Sequence, residues 1–356
     1  MVVKPSLLLT CFFTSLVLLN LSGCAEEQKA QHFHWQLQSQ ATEDSIDYAE
    51  LKIFTDNLAL MSGGRLIITP HSAGALASGP DIYNAVKERR IDMGSGWPNW
   101  WSAINPAWAL MNAGPFDFMN LDSSMMFFLA GEGSTLANEL SQPDGILWRP
   151  AWWPGMEFGL LSKTEIKGLD DLDSKKVRIG PGLPSEVLAA AAGAYTLPTV
   201  PEEIRPALEK GDIDAVEWTT AGGAWNLGLS DISRYAIVPA VWQPSVLADF
   251  LINQQAYDEL PPDLQMMLET SIKAYTLSTT MKAKVADFEA FRLFIENGVK
   301  INKWSPADLQ RWEVVSDRVL AEYGARDPIS KHIIDKKRAF KKVYTEYYQW
   351  FGPYDH

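Results

Sequence analysis

Few residues of this chain are suited to chemistry, and their distribution narrows what it can do. Of five histidines, His32, His34 and His356 lie near the ends, leaving His71 and His332. His71 sits in a Ser/Ala/Gly-rich turn without an orienting acid beside it, so a Ser–His–Asp arrangement has nowhere to form. No Gly-x-Ser-x-Gly elbow, phosphate loop or His-Glu-x-x-His pair occurs. Glu157 and Glu217 are the best pair of carboxylates. Flanking a sugar bond they would make a glycoside hydrolase; facing each other they would repel unless a cation or a proton lay between them. Arg178, near the end of a short apolar segment, is either a solvated strand residue or the partner of a bound carboxylate, with which its planar fork can pair in two bonds. The 14 tryptophans, many at 97–108 and 148–153, supply either core or a wall on which a ligand stacks.

Charge and cysteine use add boundaries. A net charge of −13 leaves no basic footprint for nucleic acid, although a single buried Arg suffices to hold an anion. Lys4 and the apolar run Leu7 to Leu21 are too short for a span of about 20 residues and fit a secretory leader. The run ends in Leu21-Ser22-Gly23-Cys24, which resembles a bacterial lipobox. On that reading residues 1–23 are the leader, Cys24 is acylated, and residues 24–32 are a polar tether. The plainer alternative is an ordinary leader with a chance Cys. Cys11 lies in the leader, so the mature domain has no thiol for a disulfide, a thiolate metal site or a nucleophile. No later run is long and apolar enough to cross a bilayer, so the chain is expected to be periplasmic and held to the membrane by lipid alone.

These residues must be positioned by an α/β fold. Phe33 to Leu37, Leu66 to Thr69 and Ile91 to Gly94 read as strands, with a helix over Asp47 to Met61 and another opened by Gly79-Pro80-Asp81. The alternation recurs: strand at Val177 to Ile179, helix at Pro184 to Ala192, strand at Leu197 to Val200, helix from Pro201 through Leu208, strand at Ile213 to Glu217. Ile82 to Asp92 and Ile204 to Asp214 share a helix-opening Ile and an Ile-Asp pair nine residues later. The pattern predicts two lobes of like topology, with ligand bound beyond the carboxyl ends of their strands, at Gly94 to Trp97 and Glu217 to Thr219. Pro262 to Val299 reads as one long helix bracing both lobes. A last amphipathic stretch, Ile333 to Trp350, caps the fold or pairs with a second subunit.

The segment Ile166-Lys167-Gly168-Leu169-Asp170-Asp171-Leu172, leading into Lys175-Lys176-Val177-Arg178-Ile179-Gly180, resembles the solute-binding proteins of TRAP transporters, the DctP-type family. Pro106-Ala107-Trp108-Ala109-Leu110 with Gly114-Pro115-Phe116, Pro206 to Gly211, Ile213 to Trp218 and the long helix resemble it too. The resemblance implies a two-lobed periplasmic binding protein, not an enzyme, handing its solute to a membrane permease. Lobe I would comprise 33–154 and 244–283, lobe II 155–243 and 284–332, and the C-terminal helix 333–356, through which a homodimer could form. The likeness is to the branch that binds 2-oxo acids and lactate with a metal ion. It implies that Arg178 clamps the carboxylate, with Glu157 and Trp218 beside it. Trp97, Asn99, Trp100 and Trp101 would line the opposite wall, and Glu217, the Trp218 main chain, Glu157 and Gln243 would hold a cation. Hard oxygen donors favour Ca2+ or Na+. The chain departs from the branch at 157, Glu in place of Gln, at 243, Gln in place of Glu, and near 99–101, where Asn and Trp replace Tyr; the first two changes conserve charge but move it. A metal-independent binder of sugars or hydrophobic acids is the remaining alternative.

Overall fold

Which strands neighbour each other follows from where the chain crosses between two sheets. The computed structural model describes Met1, residues 31–199 and residues 201–352. The expectations placed on the leader, Cys11, Cys24, Val200 and His356 lie outside the described residues. Among the described residues, eleven strands form: β1 (Phe33–Gln38), β2 (Leu66–His71), β3 (Met93–Gly96), β4 (Ile146–Trp152), β5 (Leu160–Ser162), β6 (Lys176–Arg178), β7 (Tyr195–Leu197), β8 (Ala215–Glu217), β9 (Tyr235–Val238), β10 (Ala248–Asn253) and β11 (Lys300–Lys303). The first sheet runs β2-β1-β3-β10-β4 and the second β11-β9-β5-β8-β6-β7. β1, β2 and β3 are parallel, and β10 is inserted antiparallel between β3 and β4. In the second sheet β6, β7 and β8 are parallel and β5 lies antiparallel between β8 and β9.

Read from β7, the second sheet therefore repeats the first: second strand, first, third, an antiparallel insert, then a fourth. In each case the insert is the first strand after the chain has crossed from the other sheet.

The Ile-Asp repeat seen in the sequence has a physical meaning. The Asp92 main chain donates to Gln36 O at 3.2 Å, and its Oδ2 accepts Gln36 N at 2.9 Å. Asp214 does the same for Lys176, with distances of 2.8 and 2.9 Å. Gln36 lies on β1 and Lys176 on its counterpart β6, so one Asp in each lobe fixes the central strand at the start of the next. Both motifs enter through the same tight turn, in which the N–H of Ile91 or Ile213 meets the carbonyl of Ala85 or Ala207.

Some boundaries moved. β2 continues through Pro70, tolerated because β2 is an edge strand where the missing N–H is not needed. The strand expected at 91–94 lies at 93–96, because Ile91 and Asp92 are taken up by the turn. The long helix runs Pro262–Glu296, 35 residues, ending before Gly298, which adopts φ +84°. It is about 52 Å long at 1.5 Å per residue. Its Leu264, Leu268 and Ile272 join the core of the first sheet, and its Ala290 and Phe294 join that of the second. The last helix begins at Pro328, earlier than expected, because Asp327 caps it by accepting the N–H groups of Ile329 and Ser330. Among the described residues no helix is long and apolar enough to cross a membrane.

The Asp92 carboxylate bond is half-buried and the Asp214 one exposed, so water can replace the second acceptor but not readily the first. Asp92→Ala should cost about 1–3 kcal/mol and Asp214→Ala about 1 kcal/mol or less. Urea titration checks this; a change in midpoint within error for both would show that the bonds carry nothing.

Candidate functional site

Two neighbouring strand ends of the second sheet meet in one buried cluster. Arg178 is the last residue of β6 and Glu217 the last of β8, its neighbour in the sheet. Arg178 is 8% and Glu217 6% exposed. Arg178 Nη1 donates to the Glu217 carbonyl at 2.7 Å and to its carboxylate Oε2 at 3.3 Å, and Nε donates to Thr199 O at 3.2 Å. The guanidinium lies 4.7 Å from the ring centre of Trp218, a cation–π contact that holds its plane. Nη2 has no hydrogen-bond partner among the described residues.

Glu217 is held from several sides. Gly180 N donates to Oε2 at 3.1 Å and Thr219 N to Oε1 at 3.3 Å. The second bond requires the chain to turn back at once, and Thr219 takes the left-handed conformation, φ +43°, unusual for a β-branched residue. Its carbonyl is then bound by Phe158 N at 2.9 Å. That places Glu157 alongside: its N–H donates to Pro244 O at 2.9 Å, next in sequence to the half-buried Gln243.

Glu157 is the unusual member. It is 4% exposed, its carboxyl shares a hydrogen bond with that of Glu217, and its Oε2 has no partner. Burial raises its pKa well above the usual carboxylate range, the Glu217 charge raises it further, and Arg178 only partly opposes this. Burial likewise lowers the pKa of Arg178, against the pull of Glu217 and Glu157. The cluster thus sets one guanidinium against two carboxyl groups, an arrangement that favours the protonated form of Glu157.

The residues expected to form the opposite wall lie in the turn after β3. Trp97 packs against Trp152 with ring centres 6.3 Å apart. Asn99 Oδ1 accepts from Asn112 Nδ2 at 3.0 Å. Trp100 lies over Gly79, where a Cβ would stand 2.5 Å from the ring. Trp101, expected to line the wall, is instead fully buried, and its N–H donates to Asp249 at 2.9 Å. A run of Trp has no period that tells which ring faces inward, so this could not be read in advance. Asp249 and Trp152 were missed. A lone carboxylate in the apolar run Val246 to Ile252 was the available signal for the first. Asp287 of the long helix was missed too; it accepts Gly222 N at 2.8 Å, and its charge is felt at Glu157. A cavity of about 400 Å³ lined by Met156, Glu157, Phe158, Asp287, Phe288 and Phe291, among others, opens beside Glu157 but includes neither Arg178 nor Glu217.

The two carboxyl groups touch, whereas glycosidase acids stand about 5 Å or more apart. The fold is that of a two-lobed binding protein, with Arg178 paired to Glu217 at neighbouring strand ends. Comparison with known proteins agrees with the fold. Residues 37–327 match the family model DctP, bacterial extracellular solute-binding protein family 7, and the chain belongs to that family. A monocarboxylate 2-oxoacid-binding periplasmic protein of Nostoc sp. is 28% identical over 286 residues, 80% of this chain and 78% of that one. A TRAP periplasmic solute-binding protein from Colwellia psychrerythraea with bound calcium and pyruvate superposes with a TM-score of 0.84 at 26% identity, covering 89% of this chain and 97% of that one. One from Pseudoalteromonas atlantica with bound sodium and pyruvate gives 0.82 at 26% identity, covering 90% and 97%. This is a family of transporter binding subunits, so the chain is not an enzyme and the hydrolase alternative has no support.

Because Glu157 holds its proton more tightly in the folded than in the unfolded chain, the native state binds more protons above the ordinary Glu range. Stability therefore falls as pH rises through the folded pKa of Glu157. Glu157→Gln, which cannot ionise, should flatten that fall. Melting temperatures of the chelator-treated parent and variant at pH 5 and pH 8 measure it; parallel losses in both would refute it.

Proposed function

We propose that the chain is the extracytoplasmic solute-binding subunit of a TRAP transporter, capturing a small 2-oxo or 2-hydroxy monocarboxylate together with Ca2+ or Na+. The observation that carries this is the pairing of two unmet groups in one buried cluster: Arg178 with Nη2 unengaged, and Glu157 with Oε2 unpartnered. A carboxylate satisfies the first in a planar, charge-assisted contact. A hard cation satisfies the second, and its residues fit: Glu157, Glu217, the Trp218 carbonyl and Gln243 offer only oxygen donors and two acids. When bound, the cation would neutralise the two acids and give the solute oxygens a partner. Trp97, Asn99 and Trp100 would close over the solute from lobe I.

Lobe I is 33–154 with 244–283 and lobe II 155–243 with 284–332. Closure is favoured by ligand to the extent that the closed form binds it better, and the closed form docks on the membrane permease. Cys24 carries the lipid that keeps the protein at the membrane. Two copies associate through the far end of the last helix, where Val343, Tyr347, Trp350 and Phe351 are exposed.

Titration of the chelator-treated protein by intrinsic Trp fluorescence, with and without Ca2+ or Na+, tests the solute. Pyruvate, longer 2-oxo acids, lactate, C4-dicarboxylates and sugars are the panel. Saturable binding of a monocarboxylate that tightens with cation is expected. Arg178→Met should weaken it by about 100-fold or more, the loss of a charge-assisted bidentate pair. Equal affinity in that variant refutes the clamp, binding indifferent to cation removes the metal, and a response to sugars alone overturns the acid reading. Tyr347→Glu with Trp350→Glu should halve the mass seen in sedimentation; an unchanged mass excludes this interface.

A further inference from the structure

We infer that Asp249 is a positioning residue for the lobe I ligand wall, acting through the indole of Trp101; the inference rests on the proposed cleft. Asp249 is 0% exposed on β10, the only charged side chain in a strand buried throughout. A carboxylate in such a place destabilises the fold unless its bonds are met. Burial pushes its pKa up to about 6, the two indole bonds acting the other way. Its Oδ2 receives two donors, Trp101 Nε1 at 2.9 Å and Trp148 Nε1 at 2.8 Å.

Those two indoles belong to the elements that end at the cleft. Trp101 lies in the turn Pro98–Ala103, directly after β3 and Trp97. Trp148 lies on β4, whose last residue, Trp152, packs against Trp97. One oxygen of β10 therefore ties the turn to the strand beside it. The fit is tight, because a Cβ on Gly96 would stand 2.6 Å from the Trp101 ring. A second tie runs in parallel: Asn112 donates to Asn99 and accepts Leu247 N at 3.3 Å, two residues before Asp249. Two N–H groups converging on one oxygen suit a full negative charge. Asp249 Oδ1 is buried without a partner, so Asn could keep both indole bonds on its oxygen but would lose the charge and bury an unmet N–H2. An acid that contacts no ligand thus sets where Trp97, Asn99 and Trp100 stand.

Asp249→Leu and Trp101→Phe, each in the full chain, remove the Trp101–Asp249 bond from its two ends. Hydrogen exchange should accelerate at residues 97–103 in both, while β6 and β8 keep their protection. Pyruvate in the presence of Ca2+ should bind each about tenfold more weakly, with a changed ratio of affinities for pyruvate and 4-methyl-2-oxopentanoate. The double variant should be no weaker than either single one. Unchanged exchange at 97–103 overturns the inference, as does a lowered melting temperature with affinity and ratio intact. If the parent binds no carboxylate, the exchange result still decides the positioning role, and the failure belongs to the solute reading.

Discussion

The pairing of Arg178 with Glu217 is the constraint around which the second lobe is arranged. Two opposite charges buried at neighbouring strand ends are stable only when both are present and their remaining valences are filled. The surroundings meet that demand with main-chain groups: Thr199 O and Glu217 O for the Arg, Gly180 N and Thr219 N for the acid. This explains the left-handed Thr219, whose strain is repaid by aiming an N–H at the carboxylate. It also explains why β6 must be anchored at its start, which Asp214 does. Glu157 then enters an already charged site and can do so only with a proton or in the company of a cation.

The first lobe meets its own problem differently. Its wall is aromatic and built of rings whose places are set by missing side chains, Gly79 under Trp100 and Gly96 beside Trp101. Large flat groups give contact area at little conformational cost, yet they slide unless a polar tip is fixed. In the second lobe an aromatic ring packs on a buried charge; in the first, a buried charge holds two indoles.

Much of this was legible in the residues. The alternation of strands and helices, the paired Ile-Asp motifs and the long brace all rest on local periodicity and punctuation, which sequence displays directly. Arg178, Glu217 and Trp218, which the structure brings together, were singled out by a family resemblance; no spacing rule would have set Arg178 apart from a solvated strand Arg. The antiparallel inserts β5 and β10 were not legible, since a strand's partners are chosen by tertiary packing, and both runs are as apolar as any buried strand. Asp327 before Pro328 was a readable helix start that amphipathic pattern alone passed over. The inward turn of Trp101 and the role of Asp249 depend on a contact 148 residues apart in sequence, beyond any local signal.

The reciprocal inserts bear on the order in which the molecule assembles. The second sheet, apart from its edge strand β11, is encoded without interruption from Leu160 to Val238. The first cannot close until β10 arrives, because β10 stands between β3 and β4. Contacts near in sequence cost less loop-closure entropy than distant ones, so the half holding Arg178 and Glu217 is expected to mature first and the half begun first to be completed last. Pulse-labelled exchange during refolding would see β6 and β8 protected ahead of β1 and β3; the reverse order would refute this. The amino-terminal half thus waits, with its central gap open, for a strand made almost a hundred residues after β4.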